Sequence, residues 1–141
     1  MQTKVIQSGN EVVAHIYDLN VVDAKSFPTP HEFPMQFGVG YCPQEWTSPA
    51  HIHKPVTRQV EGTAEFIFLL SGQLDVVFFD QQELEIGRET LSAQMALLQM
   101  TGGHELTFAA GTRYFEIKQG PYSGFENDKY RIFPKSCLPP S

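Results

Sequence analysis

Two stretches of this 141-residue chain hold side chains whose types and spacing can do chemistry. His51 and His53 flank Ile52. On an extended strand side chains repeat every second residue, so both imidazoles fall on one face with Cα atoms roughly 6–7 Å apart. Two rings so placed can share one ion at about 2.0–2.1 Å each. The bland reading is a pair of histidines satisfied by local hydrogen bonds. The second stretch, EFIFLLSG from Glu65 to Gly72, opens with a carboxylate on an apolar run. An unpaired carboxylate is costly to bury there, and a nearby cation removes that cost. Lys54 or Arg58 in the preceding segment could equally supply it.

The elements that must position these residues read as strands. Val5–Gln7 and Glu11–Leu19 are separated by a Ser8-Gly-Asn10 turn, and Met35–Tyr41 forms a third strand with Gly38 and Gly40 marking a bulge or close approach. Pro49 and Pro55 bracket a short His-x-His strand. Glu65–Leu70 and Leu74–Asp80 are apolar on both faces, which predicts a central hairpin through Ser71-Gly-Gln73, covered on each side. Gln81–Ala93 is polar and holds a turn and an edge strand. Ala96–Met100 is buried, His104, Leu106 and Phe108 share a face, and Arg113–Gln119 is the last strong strand. There Phe115, Ile117 and Gln119 are expected to face inward and Lys118 outward. His15 reads as a strand-face histidine with a local partner, and His31 as an exposed residue of a proline-broken connector. No helical period extends over ten residues. Nine or ten strands with turns every eight to twelve residues indicate an all-β sandwich or small barrel.

Composition narrows the function classes. The length favours one domain, residues 1–141, with enough chain for a proper core. The net charge of −6 argues against nucleic acid as the main partner. No apolar run reaches the roughly 18 residues of a membrane span, and the N-terminus has no continuous apolar core of a signal peptide. Cys42 and Cys137 read as free thiols of a cytoplasmic protein, with a bridge between them as the alternative.

The His51-x-His53 pair, the Glu65-to-Gly72 spacing, Gly87 and the Gly102-Gly103-His104 ending resemble the two motifs of the cupin superfamily over about residues 35–119. HIHK, a Glu-led strand ending in SG, GGH and KQGPY also resemble a narrower group of small single-domain cupins without a settled reaction. The chain departs from the common pattern in two ways. Eleven residues separate His53 from Glu65, where the family has only a few, and the second motif lacks its proline and closing asparagine. The resemblance implies a cupin-type jelly-roll β-barrel (double-stranded β-helix) with an N-terminal strand arm and a C-terminal extension. It implies one divalent transition metal, Fe, Mn, Ni, Zn or Co, held by His51, His53, Glu65 and His104. Three neutral ligands and one carboxylate leave a net positive centre that polarises a carbonyl or hydroxyl.

Three functions fit such a site: an isomerase or epimerase acting on a small, sugar-like, anionic substrate, an Fe(II)-dependent dioxygenase, and a ligand-binding or sensor module without turnover. Residues 54–64 form a loop longer than a hairpin connection, and long loops are often lids or binding elements. Arg58 in that loop is either a solvated charge or a bidentate clamp on a substrate anion, and Gln119 is the second substrate-binding candidate. The apolar tail after Gly120 and the need to pair barrel edges favour a homodimer.

Overall fold

The computed structural model describes residues 1–133 and is almost wholly β. Eight strands follow in order: β1 (Gln2–Ser8), β2 (Glu11–Asp18), β3 (Glu65–Ser71), β4 (Gln73–Phe79), β5 (Glu85–Ser92), β6 (Met95–Gln99), β7 (Gly103–Phe108) and β8 (Arg113–Lys118). A single short helix, α1 (Phe125–Asp128), closes the described chain. The strands form two antiparallel sheets. One has five strands in the order β1-β2-β6-β3-β8, and the other has three in the order β5-β4-β7. β2 therefore lies inside the larger sheet, between β1 and β6.

Register assigns the faces. Ile67 pairs with Leu97, which pairs with Ile16. These three, with Leu69, pack against Leu74, Val76, Phe78 and Leu91 of the smaller sheet to form the main core. Their neighbours one residue along point the other way. Tyr17, Phe66, Ala96 and Leu98 form a second cluster on the outer face of the larger sheet. Half-buried Phe33, Met35 and Phe37 cover that cluster. The Phe37 ring centroid lies 4.6 Å from Tyr17 and 4.8 Å from Phe66. So the centre of the larger sheet is covered on both sides, as the doubly apolar β3 and β6 require.

Three strand expectations are corrected. The pairing of Glu65–Leu70 with Leu74–Asp80 as a hairpin does not occur, because β3 and β4 belong to different sheets. Gly72 is instead the corner where the chain leaves one sheet for the other. Its φ is +90°, and a Cβ there would lie 2.4 Å from Thr112 Oγ1 and 2.6 Å from Thr112 Cα. Only glycine fits that backbone and that space. Residues 35–41 are alternately half-buried and exposed, yet they contribute a single bridge, Ser26 to Val39, and no strand. They lie over the sheet face, pinned by Gln36 Nε2, which donates to the Pro30 and Phe33 carbonyls at 2.7 Å each. Residues 51–53 form no strand, consistent with the prolines on either side, which withhold donors from any ladder. His15 has the local partner expected of it: its Nδ1 is 2.8 Å from the Tyr17 hydroxyl. Burial pushes the Tyr17 phenol up to about 12. His31 is exposed. Cys42 is free and exposed, while Cys137 lies outside the described residues.

The two edges of the sandwich differ. At one, Lys4 of β1 pairs with Glu89 of β5. At the other, β7 and β8 share no ladder, each having one neighbour in its own sheet. That edge, and the rim beside it, hold the polar residues discussed next. No helix among the described residues is long and apolar enough to cross a membrane.

Candidate functional site

At one rim of the sandwich the inner faces turn from apolar to polar. Glu65 begins β3 and pairs with Gln99, the last residue of β6, on one side and with Lys118, the last of β8, on the other. All three share the inner face with Ile67 and Leu97, by the two-residue alternation. Opposite them, His104 pairs with buried Phe78 and shares the inner face of the smaller sheet with Leu106. Gly102 brings the chain into β7. Its φ is +67°, and a Cβ there would lie 2.3 Å from the Phe79 carbonyl oxygen, so the glycine before Gly103-His104 is required by the turn.

Across the gap, His104 Nε2 lies 3.3 Å from Glu65 Oε2. The Glu65 side chain is 11% exposed and that of His104 22%. Burial pushes the pKa of His104 below the ordinary histidine value. Glu65 pulls it back up, Lys129 adds to the lowering, and Glu116 opposes it. The imidazole is therefore neutral at neutral pH, and Nε2–H beside a carboxylate is the natural tautomer. His104 Nδ1 and Gln99 Oε1 are buried without a hydrogen-bond partner. Gln99 Nε2 donates to the Thr101 carbonyl.

These side chains line a cavity of about 480 Å³, roofed by α1 and the segment after it. Lys129 and Arg131 bring positive charge to its wall, and Tyr130 and Phe133 bring apolar surface. Asp128 anchors this roof. Its carboxylate lies 3.7 Å from Lys118 Nζ and 3.8 Å from Lys129 Nζ, and it accepts from the Thr63 hydroxyl at 3.4 Å. The lining thus carries both signs, Glu65, Asp80, Glu105 and Asp128 against Lys129 and Arg131, with Lys129 facing Asp128 and the neutral imidazole facing Glu65.

The metal expectation is overturned. Among the described residues, no group of three or more His, Cys, Asp or Glu side chains is placed to hold an ion. His51 and His53 keep the local geometry of an i, i+2 pair, with ring centroids 5.2 Å apart, but both are exposed. His51 Nδ1 lies 2.8 Å from the Pro49 carbonyl oxygen. Glu65 and His104 face each other in the cavity instead. The eleven-residue insertion before Glu65 is the physical reason, since it uncouples the His-x-His segment from the strand that carries the carboxylate. The donor set does not fit an Fe, Mn, Ni, Zn or Co centre, so the chemistry must be read from the residues that do meet.

The two substrate-binding candidates also fall elsewhere. Arg58 is exposed on the same outlying segment as His53. Gln119 donates its backbone N–H to the Ala64 carbonyl at 3.0 Å, and its Oε1 is buried without a partner. It continues the alternation of Phe115 and Ile117, which register places on the outer face, while Lys118 takes the inner one. The expected facing of β8 is thus reversed. Gln99, Lys129 and Arg131 went unnoticed in the sequence. Gln99 carried a signal, a polar residue ending the buried run Met95–Gln99. Lys129 and Arg131 carried a weaker one, alternating with Tyr130 and Ile132.

No protein-family model matches the chain, and comparison with curated proteins and with solved structures found no match to either.

Proposed function

We propose that the chain is a cupin-type jelly roll whose rim cavity binds a small, oxygen-rich, anionic molecule and moves a proton on it, as an isomerase or epimerase. Two stacked antiparallel sheets, with the chain crossing between them at Gly72, support the architecture. One observation carries the activity: a carboxylate and a neutral imidazole stand 3.3 Å apart, on facing sheets, inside a cavity whose wall holds Lys129 and Arg131 among three further carboxylates. In this reading Glu65 takes the proton from a carbon next to a carbonyl. The His104 Nε2–H donates a hydrogen bond to that carbonyl oxygen as negative charge builds on it. Glu65 then returns the proton to the neighbouring carbon while the substrate's hydroxyl proton passes to the former carbonyl oxygen; in epimerisation the carbon takes a proton from solvent on its opposite face and Glu65 gives its own up to solvent. Both routes balance without an oxidant or reductant. A neutral imidazole suits this role, because a donor whose proton is not too acidic stabilises an enediolate without surrendering the proton early. Arg131, with Lys129 beside it, holds the substrate anion.

The test is incorporation of solvent deuterium, followed by proton NMR, across a panel of hydroxy-aldehydes, hydroxy-ketones and sugar acids. Incorporation into at least one member is expected, falling by about 10²–10⁴-fold in both Glu65→Gln and His104→Gln. Saturable binding with no exchange in any member replaces the catalytic reading with the binding-module one. Neither binding nor exchange overturns both.

A further inference from the structure

Gln99 is the most completely buried polar side chain at the rim, 4% exposed, and it lines the cavity. Its amide is held in one orientation. Nε2 donates to the Thr101 carbonyl. Thr101 is itself fixed, because Met100 and Thr101 both donate their backbone N–H groups to the Val13 carbonyl, at 2.8 and 3.3 Å. Exchanging the amide oxygen and nitrogen would set two carbonyl oxygens against each other, so Oε1 is the atom turned away from Thr101. That oxygen is buried and has no hydrogen-bond partner among the described residues. A purely structural role, finishing β6 with one bond to Thr101, accounts for Nε2 and leaves Oε1 unexplained. A buried acceptor left without a donor is costly.

The ladder decides what stands beside that oxygen. Gln99 is directly opposite Glu65, so their Cβ atoms are about 4.5–5.5 Å apart and their side chains share the inner face. His104 meets Glu65 from the other sheet, Nε2 to Oε2 at 3.3 Å. With its Nε2–H toward that carboxylate, His104 keeps Nδ1 as a second buried acceptor without a partner. The floor therefore presents more acceptors than donors, and a molecule that fits it must bring donors of its own. An ammonium group would pair with Glu65 and hold that carboxylate charged and occupied. A hydroxyl supplies the donor without the charge.

We propose that Gln99 is the specificity-determining residue of the rim cavity, accepting on Oε1 a hydrogen bond from the hydroxyl on the carbon that Glu65 deprotonates. The inference rests on the proton-transfer reading and narrows its substrates to α-hydroxy aldehydes and α-hydroxy ketones that carry an anionic group. On such a molecule the hydroxyl and the departing proton share one carbon, as Gln99 and Glu65 share neighbouring positions on one sheet face. The carbonyl is one bond further, on the side of His104. An analogue with hydrogen in place of that hydroxyl leaves Oε1 unpaired in the complex. A site that hydrogen-bonds a substrate hydroxyl rejects such an analogue more strongly than apolar contacts can.

Two matched pairs of probes test it: ribose 5-phosphate against 2-deoxyribose 5-phosphate, and glucuronate against 2-deoxyglucuronate. The pairs carry the anion as phosphate and as carboxylate. Binding is titrated by the NMR shifts of the protein amides. In at least one pair the hydroxylated member is expected to bind about 5–150-fold more tightly than its deoxy partner. The ratio should fall to near one in Gln99→Met and persist in Gln99→Glu, which keeps an acceptor. A Gln99 that only holds Thr101 would weaken both members together in Gln99→Met and leave their ratio as it was. Equal binding of the two members by the native chain means that solvent alone partners Oε1, and overturns the inference. So does a ratio that survives in Gln99→Met, and so does binding of neither pair. The native comparison needs no variant, so it decides the matter even where a substitution unfolds the chain. Selective binding without deuterium exchange strikes the proton transfer and leaves the recognition as that of a binding module. Exchange with equal binding of both members strikes the role of Gln99 alone.

Discussion

Replacing Gly72 by alanine probes the corner on which the two-sheet arrangement turns. The residue sits at φ +90°, where a Cβ costs about 1–2 kcal/mol by itself. The added methyl would also meet Thr112, at 2.4 Å from Oγ1, 2.6 Å from Cα and 2.9 Å from Cβ. Forcing a group into such a contact adds about 1–3 kcal/mol. The sum is about 2–5 kcal/mol, at about 2–4 °C of melting temperature per kcal/mol for a chain of this length, so a fall of roughly 4–20 °C is expected. Thr112 cannot yield cheaply. It is tied to Gln73 twice, accepting from the Gln73 N–H at 3.1 Å and donating to the Gln73 carbonyl at 3.0 Å. Because the second-nearest atom is backbone Cα, Thr112→Ala relieves little of the clash, and the double variant should remain well below the native chain. Gly87 is the control. It lies within β5, has no unusual φ, and a Cβ there meets nothing within 4 Å. Gly87→Ala should therefore raise stability by about 0.5–1 kcal/mol. Thermal melts by circular dichroism check all four proteins. A Gly72→Ala melt within about 2 °C of native, less than the smallest cost above predicts, would refute the corner and the contact behind it.

Two further outcomes follow from the packing and the charges. Leu97 and Leu98 are adjacent in β6 and fully buried on opposite faces, so Leu97→Ala and Leu98→Ala should each cost about 2–5 kcal/mol in urea unfolding. A Leu98→Ala cost below about 0.5 kcal/mol, typical of surface positions, would mean that Phe33, Met35 and Phe37 do not cover that face. The Asp80 carboxylate accepts from the Leu84 and Gln82 N–H groups and from the Ser8 hydroxyl, all at 3.0 Å. The Leu84 N–H first, with the other two, holds its pKa below the ordinary 3.8 against the opposing effect of burial. A depressed folded-state pKa stabilises above the unfolded value and loses that contribution as pH falls through the folded one. Melting temperatures should thus drop below about pH 4, and less steeply in Asp80→Asn. An equal slope in both proteins would show that Asp80 is not among the groups whose protonation drives the loss.

What the sequence made legible was local. His51 and His53 lie ring to ring, 5.2 Å apart, although the strand expected to place them does not form. The run from Glu65 marked a buried strand and Gly72 a turn that only glycine can make. What was not legible was non-local. Ser-Gly-Gln between two apolar runs signals a hairpin and a sheet crossing equally well, since both need a positive φ and neither names a partner strand. The facing of β8 misled for a related reason. Phe115 and Ile117 look like core, but both faces of the larger sheet carry apolar clusters, so hydrophobicity does not identify the inner one. The cavity was hidden because Glu65 and Lys129 lie 64 positions apart and meet only through the tertiary fold.

That meeting has a structural cause. In antiparallel sheets, the start of each strand lies beside the end of its neighbour. Glu65 starts β3, Gln99 ends β6 and Lys118 ends β8, so the ladders carry all three to one rim. His104 stands near the start of β7, beside Phe78 near the end of β4, and is carried to the same rim on the other sheet. Further in, the space between the sheets is filled by Ile67, Leu69, Val76 and Leu97, where an unpaired polar group is costly. Polar side chains are admitted only where the apolar ladder stops. The Glu65–His104 pair therefore stands with its back to a rigid core, which fixes both strands, and its front to the cavity. In the proposed reaction a pair so held keeps its backbone in place, and only the His104 Nε2–H has to turn from Glu65 toward the substrate oxygen.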